Sequence, residues 1–366
     1  MKIFHVSDTH LGYSAYHKLS PDGLNQREAD VYNSFEQFIN YSLENKPDII
    51  IHSGDLFDSV RPTNRAIVFA MKQLIRISDA KIPFIIISGN HETPKLRETG
   101  SILKLFEHLP YIYPVYKGKL EEIEIGEALI HAIPHCFSNE ELKKNIENLK
   151  IRKNSLNILT MHVGIIGIKE FRSGDFNEQV ISSGYLSEEF DYVALGHYHK
   201  GVQVTKNSYY AGSTEHFSFK EAGEIKGFYE VDLSDKLKLN FIPLKVRGMI
   251  DLGKIDCLEL SADEILKEFL KRIEEHDIRE KIARIELNKI SREKYKMLDW
   301  EKIKNASSRA MHFEIVHEFL EIENIKGKTK IGSIEEEWKE YISQLNIKEK
   351  EDVEKLALKY LEEAKS

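Results

Sequence analysis

MKIFHVSDTHLG, residues 1–12, decides how the rest of the chain is read. Lys2 to Ser7 alternates apolar and polar residues in the manner of a strand, and Asp8-Thr9-His10 follows at once, where the chain must turn. In open α/β folds the carboxyl ends of strands form the floor of the site. A carboxylate and an imidazole two residues apart there can aim at one metal ion. Taken alone, the tripeptide reads as a turn Asp with an incidental His, but the pattern recurs. IIIHSGD (49–55), FIIISGNH (84–91), ILTMHVG (158–164) and YVALGHYH (192–199) are each a β-type apolar run ending in Asp, Asn or His. Five strands deliver polar groups at their C-terminal ends.

The 366 residues suffice for a large core in two or three units. No run reaches the ~18 apolar residues of a membrane span, and the chain enters a strand without a leader pattern. A cytoplasmic, nucleoid-associated protein is expected, with no membrane partner. The two cysteines, Cys136 and Cys257, stand far apart, which excludes a disulfide framework or a thiolate metal site. A net charge of −8 means that any nucleic-acid contact must come from local basic patches.

A first helix is expected over about 27–44, a second starting at Arg61-Pro62-Thr63 with Pro62 near its first turn, and a third over 101–109. The second and third carry apolar residues on more than one side, which points to a second buried face and a homodimer through Ile67, Leu105 and Leu109. After Pro110, short strands (YIYPVY, LEEIEI, ALIHAI, LNILTMHV, SYYAGS, GFYEVDL, LNFIPLKV) read as an antiparallel meander, with a helix near 139–149. Gly164–Gly184 reads as a loop or short helix over the site. The sum is an α/β class, a two-sheet sandwich over 1–245. A small α/β unit is expected over 249–320, its first helix opened by a Ser261/Glu264 capping box. After a linker at 324–332, a pair of amphipathic helices over 333–366 presents Trp338, Tyr341, Leu345, Leu356 and Tyr360, with ten Asp/Glu against six Lys. Helices this short must pack on something, and a partner groove is the expected place.

The strand-end residues Asp8, His10, Asp55, Asn90, His162, His197 and His199 are oxygen and imidazole donors without thiolate, a set suited to divalent Mn, Fe or Zn. Seven are too many for one ion with an open position. With Asp55 shared, Asp8, His10, Asp55 and His199 serve one ion, and Asp55, Asn90, His162 and His197 the other. Such a pair stabilises the attacking and leaving oxygens of a phosphoryl displacement. By strand alternation His91 need not point at the same metal as its neighbour Asn90, which leaves it to protonate the leaving oxygen or to stabilise charge on the phosphorane-like state. His5, His131 and His135 read as structural. His17, Lys18, Arg61, Lys95 and Arg97 follow the ligand-bearing strands and are candidates to carry DNA phosphates.

The ordered set DTH, GD, GNHE, H and GHYH resembles the signature of calcineurin-like metallophosphoesterases over residues 1–245. Within that superfamily, DTHLGY, GDLFDSVRP and the small domain with a helical tail resemble the SbcD-type, meiotic-recombination-eleven nucleases of DNA double-strand-break repair. The resemblance implies two Mn²⁺ per chain, 3′-to-5′ exonuclease and single-strand endonuclease activities, a dimer, a capping domain at 249–320 and an SMC-like coiled-coil ATPase partner of SbcC type. Many members carry His where this chain has Asp58, beside the ligands, so the balance of the two activities is open. The alternatives are a phosphomonoesterase or protein phosphatase, whose GDxxDRG lacks its Arg here because Ser59 and Val60 follow Asp58, and a non-catalytic scaffold.

Overall fold

The computed structural model describes residues 1–166 and 178–320, together with the isolated tail positions Trp338, Ile342, Val353, Leu356, Ala357 and Tyr360. Strands β1 (Lys2–Val6), β2 (Ile49–His52), β3 (Phe84–Ile87) and β4 (Ile112–Val115) run parallel, in that order. They are joined by helices α1 (Gln26–Asn45) and α2 (Asn64–Asp79), and by a 3₁₀ helix over Ile102–His108. Asn25 caps α1 and Thr63 caps α2, each accepting from backbone N–H groups of the first turn. Arg61-Pro62 therefore lies outside the second helix.

The second sheet takes β5 (Glu121–Ile125), β6 (Ala128–Ile133), β7 (Leu156–His162), β10 (Tyr192–Gly196), β11 (Val202–Gln203) and β12 (Ser208–Tyr210), in the order β11-β12-β10-β7-β6-β5. Helix α3 (Asn139–Glu147) precedes β7, and β8 (Gly164–Ile166) pairs with β9 (Val180–Ser182) apart from both large sheets. The chain then returns to the first sheet, where β13 (Gly227–Asp232) and β14 (Lys238–Pro243) extend it antiparallel beside β1. This corrects the expected antiparallel meander. GFYEVDL and LNFIPLKV do pair antiparallel as β13 and β14, but in the second sheet β6, β7, β10 and β12 are parallel neighbours, and only its edge pairs β5/β6 and β11/β12 are antiparallel. The alternation of LEEIEI belongs to an edge strand with one open face. The interior strands are buried on both faces, and such runs carry no sign of their direction. Gly164–Gly184, expected as a loop or short helix, contains β8 and β9.

The two sheets face each other. Ile3, Ile49, Ile51, Ile85 and Ile87 of the first pack on Ala128, Ile130, Ala132, Ile158 and Ala194 of the second. The alternate residues Phe4, Val6, Ile50, Phe84 and Ile86 turn outward under α1 and α2. Period-two alternation thus splits each strand between two hydrophobic layers. Polar residues inside this sandwich are paired. His5 meets the Tyr192 hydroxyl (2.8 Å) and the Ser53 hydroxyl (3.0 Å), and burial pushes its pKa down to about 3, so it remains neutral.

Beyond Gly248, β15 (Met249–Asp256), β16 (Ile282–Ile290) and β17 (His312–Phe319) form a parallel three-stranded sheet. Helices α4 (Ala262–Glu275), α5 (Arg292–Met297) and α6 (Trp300–Ser307) accompany it around a core of its own. Ser261 and Glu264 form their capping box. Arg247, in the connection, holds Asp30 of α1 through two nitrogens (2.7 and 2.9 Å). Most of the expected helical pair at 333–366, Tyr341 and Leu345 included, lies outside the described residues. The six described tail positions are helical, and Ile342 is buried. Among the described residues no helix is long and apolar enough to cross a membrane.

Candidate metal centre

The site forms where the C-terminal ends of both sheets meet, and the backbone there is unusual. Asp8, His10, Asp55 and His197 all have positive φ (51°, 45°, 55° and 103°). Each such non-glycine residue costs about 1–3 kcal/mol, a strain that clusters at functional sites. The turns are locked together. Thr9 and His10 donate to the Asp55 carbonyl, and the buried Glu92 carboxylate accepts from the N–H groups of Phe57 (2.9 Å) and Gly89 (3.2 Å). Burial and the neighbouring Asp55 raise the pKa of Glu92 to about 8. Gly89 packs so closely on the Asp55 carboxylate that a Cβ there would collide with it.

Hydrogen-bond partners on the outer side of each ring decide what the four imidazoles present inward. His162 Nδ1 faces the Ser53 carbonyl (2.8 Å), which can only accept, so Nδ1 carries the proton. His199 Nδ1 faces Glu221 (3.2 Å) and His197 Nε2 faces Glu178 (3.1 Å), while His10 Nδ1 stands 3.3 Å from the Asp58 carboxylate without hydrogen-bonding to it. In each neutral ring the other nitrogen is then a lone pair, and all four lone pairs turn inward. There His10 Nε2 and His199 Nε2 lie 3.2 Å apart. His162 Nε2 stands 2.9 Å from the Asn90 oxygen and 3.2 Å from Asp55, and His197 Nδ1 is 3.1 Å from the same Asn90 oxygen. These are acceptors facing acceptors, an arrangement that asks for positive charge between them.

The same demand appears in the titration of the groups. Burial opposes charge on His162, but Asp55 and Asp8 outweigh it and raise its pKa to about 9. Burial also opposes the Asp55 carboxylate, and the surrounding His162, His10 and His91 nevertheless hold it well below its ordinary value. Asp8 with His10 and His199, and Asp8 with Asp55 and His162, each bring their ligand atoms within 4.8 Å of one another. The donor set therefore fits a pair of cations; Asp8 belongs to both groups, and the Asp55 carboxylate stands 3.2 Å from His162 Nε2 and 3.9 Å from His10 Nε2.

His91 differs from its expected placement. The strand-alternation argument does not reach it, because β3 ends at Ile87 and Gly89–Glu92 is a turn. Its N–H donates to Asp55 (2.9 Å), its ring meets His10 edge-on at 4.6 Å, and a ring nitrogen comes within 4.8 Å of the His10 and Asp55 donors. It is also 40% exposed, unlike the buried Asp8, His10, Asp55 and His162, and so remains open to a substrate.

The remaining candidates divide. His17 and Lys18 are exposed on the loop after β1. Lys95 lines a cavity of about 390 Å³ with His135 and Glu178 beside the site. Arg61 lies elsewhere, in a groove of about 900 Å³ with Ile67, Ile102, Leu105 and His108. Leu105 is 44% exposed there, while Ile67 and Leu109 are half-buried. The reading from residue order missed Glu178, Glu221, Glu92 and Phe217. For Glu221 a signal existed: Ser218-Phe219-Lys220-Glu221 has the spacing of a capping box, and that box is formed.

Residues 1–226 match the family model described as Calcineurin-like phosphoesterase, which sets the class. The chain is 32% identical over 293 residues to the DNA double-strand break repair protein Mre11 of Methanococcus maripaludis, covering 75% of this chain and 73% of that one. The protein of the same name from Sulfurisphaera tokodaii is 32% identical over 75% of this chain and 70% of its own length. That from Sulfolobus acidocaldarius is 28% identical over 98% of both. The chain belongs to the Mre11 family.

Proposed function

We propose that this protein is a manganese-dependent DNA nuclease that processes double-strand ends, a 3′-to-5′ exonuclease on duplex and an endonuclease on single strands. The reading rests on one observation above all: four imidazoles converge with Asp8, Asp55 and Asn90, and the Asp55 carboxylate lies between His162 Nε2 (3.2 Å) and His10 Nε2 (3.9 Å). Asp8, His10, Asp55 and His199 are assigned to one ion, and Asp55, Asn90, His162 and His197 to the other. Two divalent cations so held supply Lewis acidity to both sides of a phosphodiester. The chain's own groups do the rest. Asp55 fixes the relation between the two sets, Asp58 orients His10, and His91 passes a proton to the leaving oxygen. DNA is favoured over a phosphomonoester because the relatives are named for double-strand break repair.

Labelled duplex and single-stranded DNA, incubated with Mn²⁺, Mg²⁺ or EDTA and resolved on gels, tests this. Shortening of duplex 3′ ends and internal cutting of single strands in Mn²⁺, absent in EDTA, is expected. Intact DNA alongside release of phosphate from a phosphomonoester would replace the reading with a phosphatase.

The part-exposed apolar surface of α2 and the 3₁₀ helix is assigned to a homodimer, which would set two sites beside two DNA ends or strands. Leu105→Asp places a charge in that contact and should convert a sedimenting dimer to a monomer. A wild type that is already monomeric at micromolar concentration removes the assignment. His17, Lys18, Lys95 and Arg97 are assigned to DNA phosphates, residues 249–320 to a capping domain, and the acidic segment 333–366 to docking on an SbcC-type coiled-coil ATPase.

A further inference from the structure

The turn Phe217–Glu221 touches the ligand set on one side and the three-stranded sheet on the other. On the site side, Glu221 accepts from His199 Nδ1 (3.2 Å), and the Phe217 ring packs edge-on against His10 (4.7 Å) and His199 (5.3 Å). Glu221 is itself held on every side. Its carboxylate accepts from Lys226 Nζ (2.7 Å), from the hydroxyls of Ser213 (3.3 Å) and Ser218 (3.1 Å), and from the Ser218 N–H (3.1 Å). Lys226, only 2% exposed, also donates to the His199 carbonyl (2.9 Å). One carboxylate–ammonium pair thus grips both the ring and the backbone of a single candidate ligand.

On the far side the turn is bound to the small unit. Phe219 packs with Met249, Ile282 and Met311, and the Arg284 guanidinium lies over its ring at 4.6 Å. The Gly223 N–H donates to the Met249 carbonyl (3.2 Å), and a ring nitrogen of His216 meets the Arg247 carbonyl (3.2 Å).

We propose that Glu221 is a positioning residue for the metal site: it holds His199 in the tautomer and orientation that turn Nε2 toward His10, and the small unit supports it through Phe219. The proposal rests on reading the strand-end residues as a metal set. A carboxylate facing Nδ1 can only accept, so the proton stays on Nδ1 and the lone pair on Nε2. Without that partner the ring is free to change tautomer and to rotate. A buried Glu–Lys pair is also a poor device for stability alone, since apolar residues of similar volume serve as well or better. Its contacts instead converge on one imidazole.

Calorimetric Mn²⁺ titration of the full chain, with thermal unfolding in EDTA, tests this on wild type, Glu221→Ala, Glu221→Gln and Phe219→Ala. Glutamine keeps an oxygen for the His199 N–H but loses the charge opposite Lys226. Glu221→Ala is expected to weaken one of two sites by about 10–100-fold, with Glu221→Gln within about 3-fold of wild type, since outer partners of ligating histidines act at this scale. Glu221→Gln should nonetheless unfold at a lower temperature, so that affinity and stability separate. Phe219→Ala should weaken the same site several-fold. Wild-type affinity in Glu221→Ala overturns the proposal, as does equal loss of affinity in Ala and Gln that tracks their unfolding temperatures. Wild-type affinity in Phe219→Ala removes the small unit's share. Absence of binding in the wild type itself would instead defeat the metal reading on which the proposal rests.

Discussion

Asp55→Ala should remove metal binding from both sets at once and abolish DNA cleavage. Asp55 is the member common to the two assigned sets, its carboxylate standing 3.2 Å from His162 Nε2 and 3.9 Å from His10 Nε2. Loss of an outer partner of a ligating histidine typically costs 10–100-fold in affinity, so loss of a shared ligand should exceed about 100-fold at each site. The fold should survive. Alanine loses the bond that the Asp55 carboxylate accepts from the His91 N–H (2.9 Å), and it also removes a buried carboxylate whose charge burial opposes, so the two changes offset one another. Thermal unfolding in EDTA is therefore expected to change little, while calorimetric Mn²⁺ titration falls from about two sites per chain to none of measurable affinity. Two sites titrating as in wild type would end the shared-ligand arrangement. A single site retained at full affinity would confine Asp55 to the other set.

The strand ends could be read from residue order because the information is local. An apolar β run followed by Asp, Asn or His places a polar side chain at a sheet's carboxyl edge whatever else the chain does. That reasoning named Asp8, His10, Asp55, Asn90, His162, His197 and His199 without knowing how the strands pair. It failed where pairing decides the outcome. ALIHAI and LNILTMHV carry no mark of their parallel partners, and GFYEVDL gives no sign that it returns to β1. The groups that fix the imidazoles were hidden for the same reason. Glu178 and Glu221 are 19 and 22 residues from the rings they hold, on segments brought back by topology rather than by spacing. The support for His91 had a different gap, because alternation was applied past the end of the strand that justified it. Asp58 shows the reverse: its place beside the ligands was legible from residue order, but its approach to 3.3 Å from His10 Nδ1 was not.

His91→Ser should lower DNA cleavage by about 10²–10⁴-fold, the range for removal of a general acid, while Mn²⁺ still binds at two sites within about 3-fold of wild-type affinity. The geometry leaves two roles open to this ring, and the experiment separates them. Its nearness to His10 and Asp55 would allow it to be a ligand. Against that, its ring is 40% exposed where those of His10 and His162 are buried, although its Nδ1, 3.1 Å from the Asp58 carbonyl, holds a proton as theirs do. A ring that can carry two protons and is 40% open to solvent is suited to give one to a leaving oxygen, whereas a ligand must keep a lone pair. His91→Ser leaves in place the backbone N–H that Asp55 accepts, so the carboxylate keeps this support and any loss of metal must come from the ring. Titration to two sites with cleavage lost would make His91 the proton donor. Titration to one site would make it a ligand and leave the leaving oxygen without its acid.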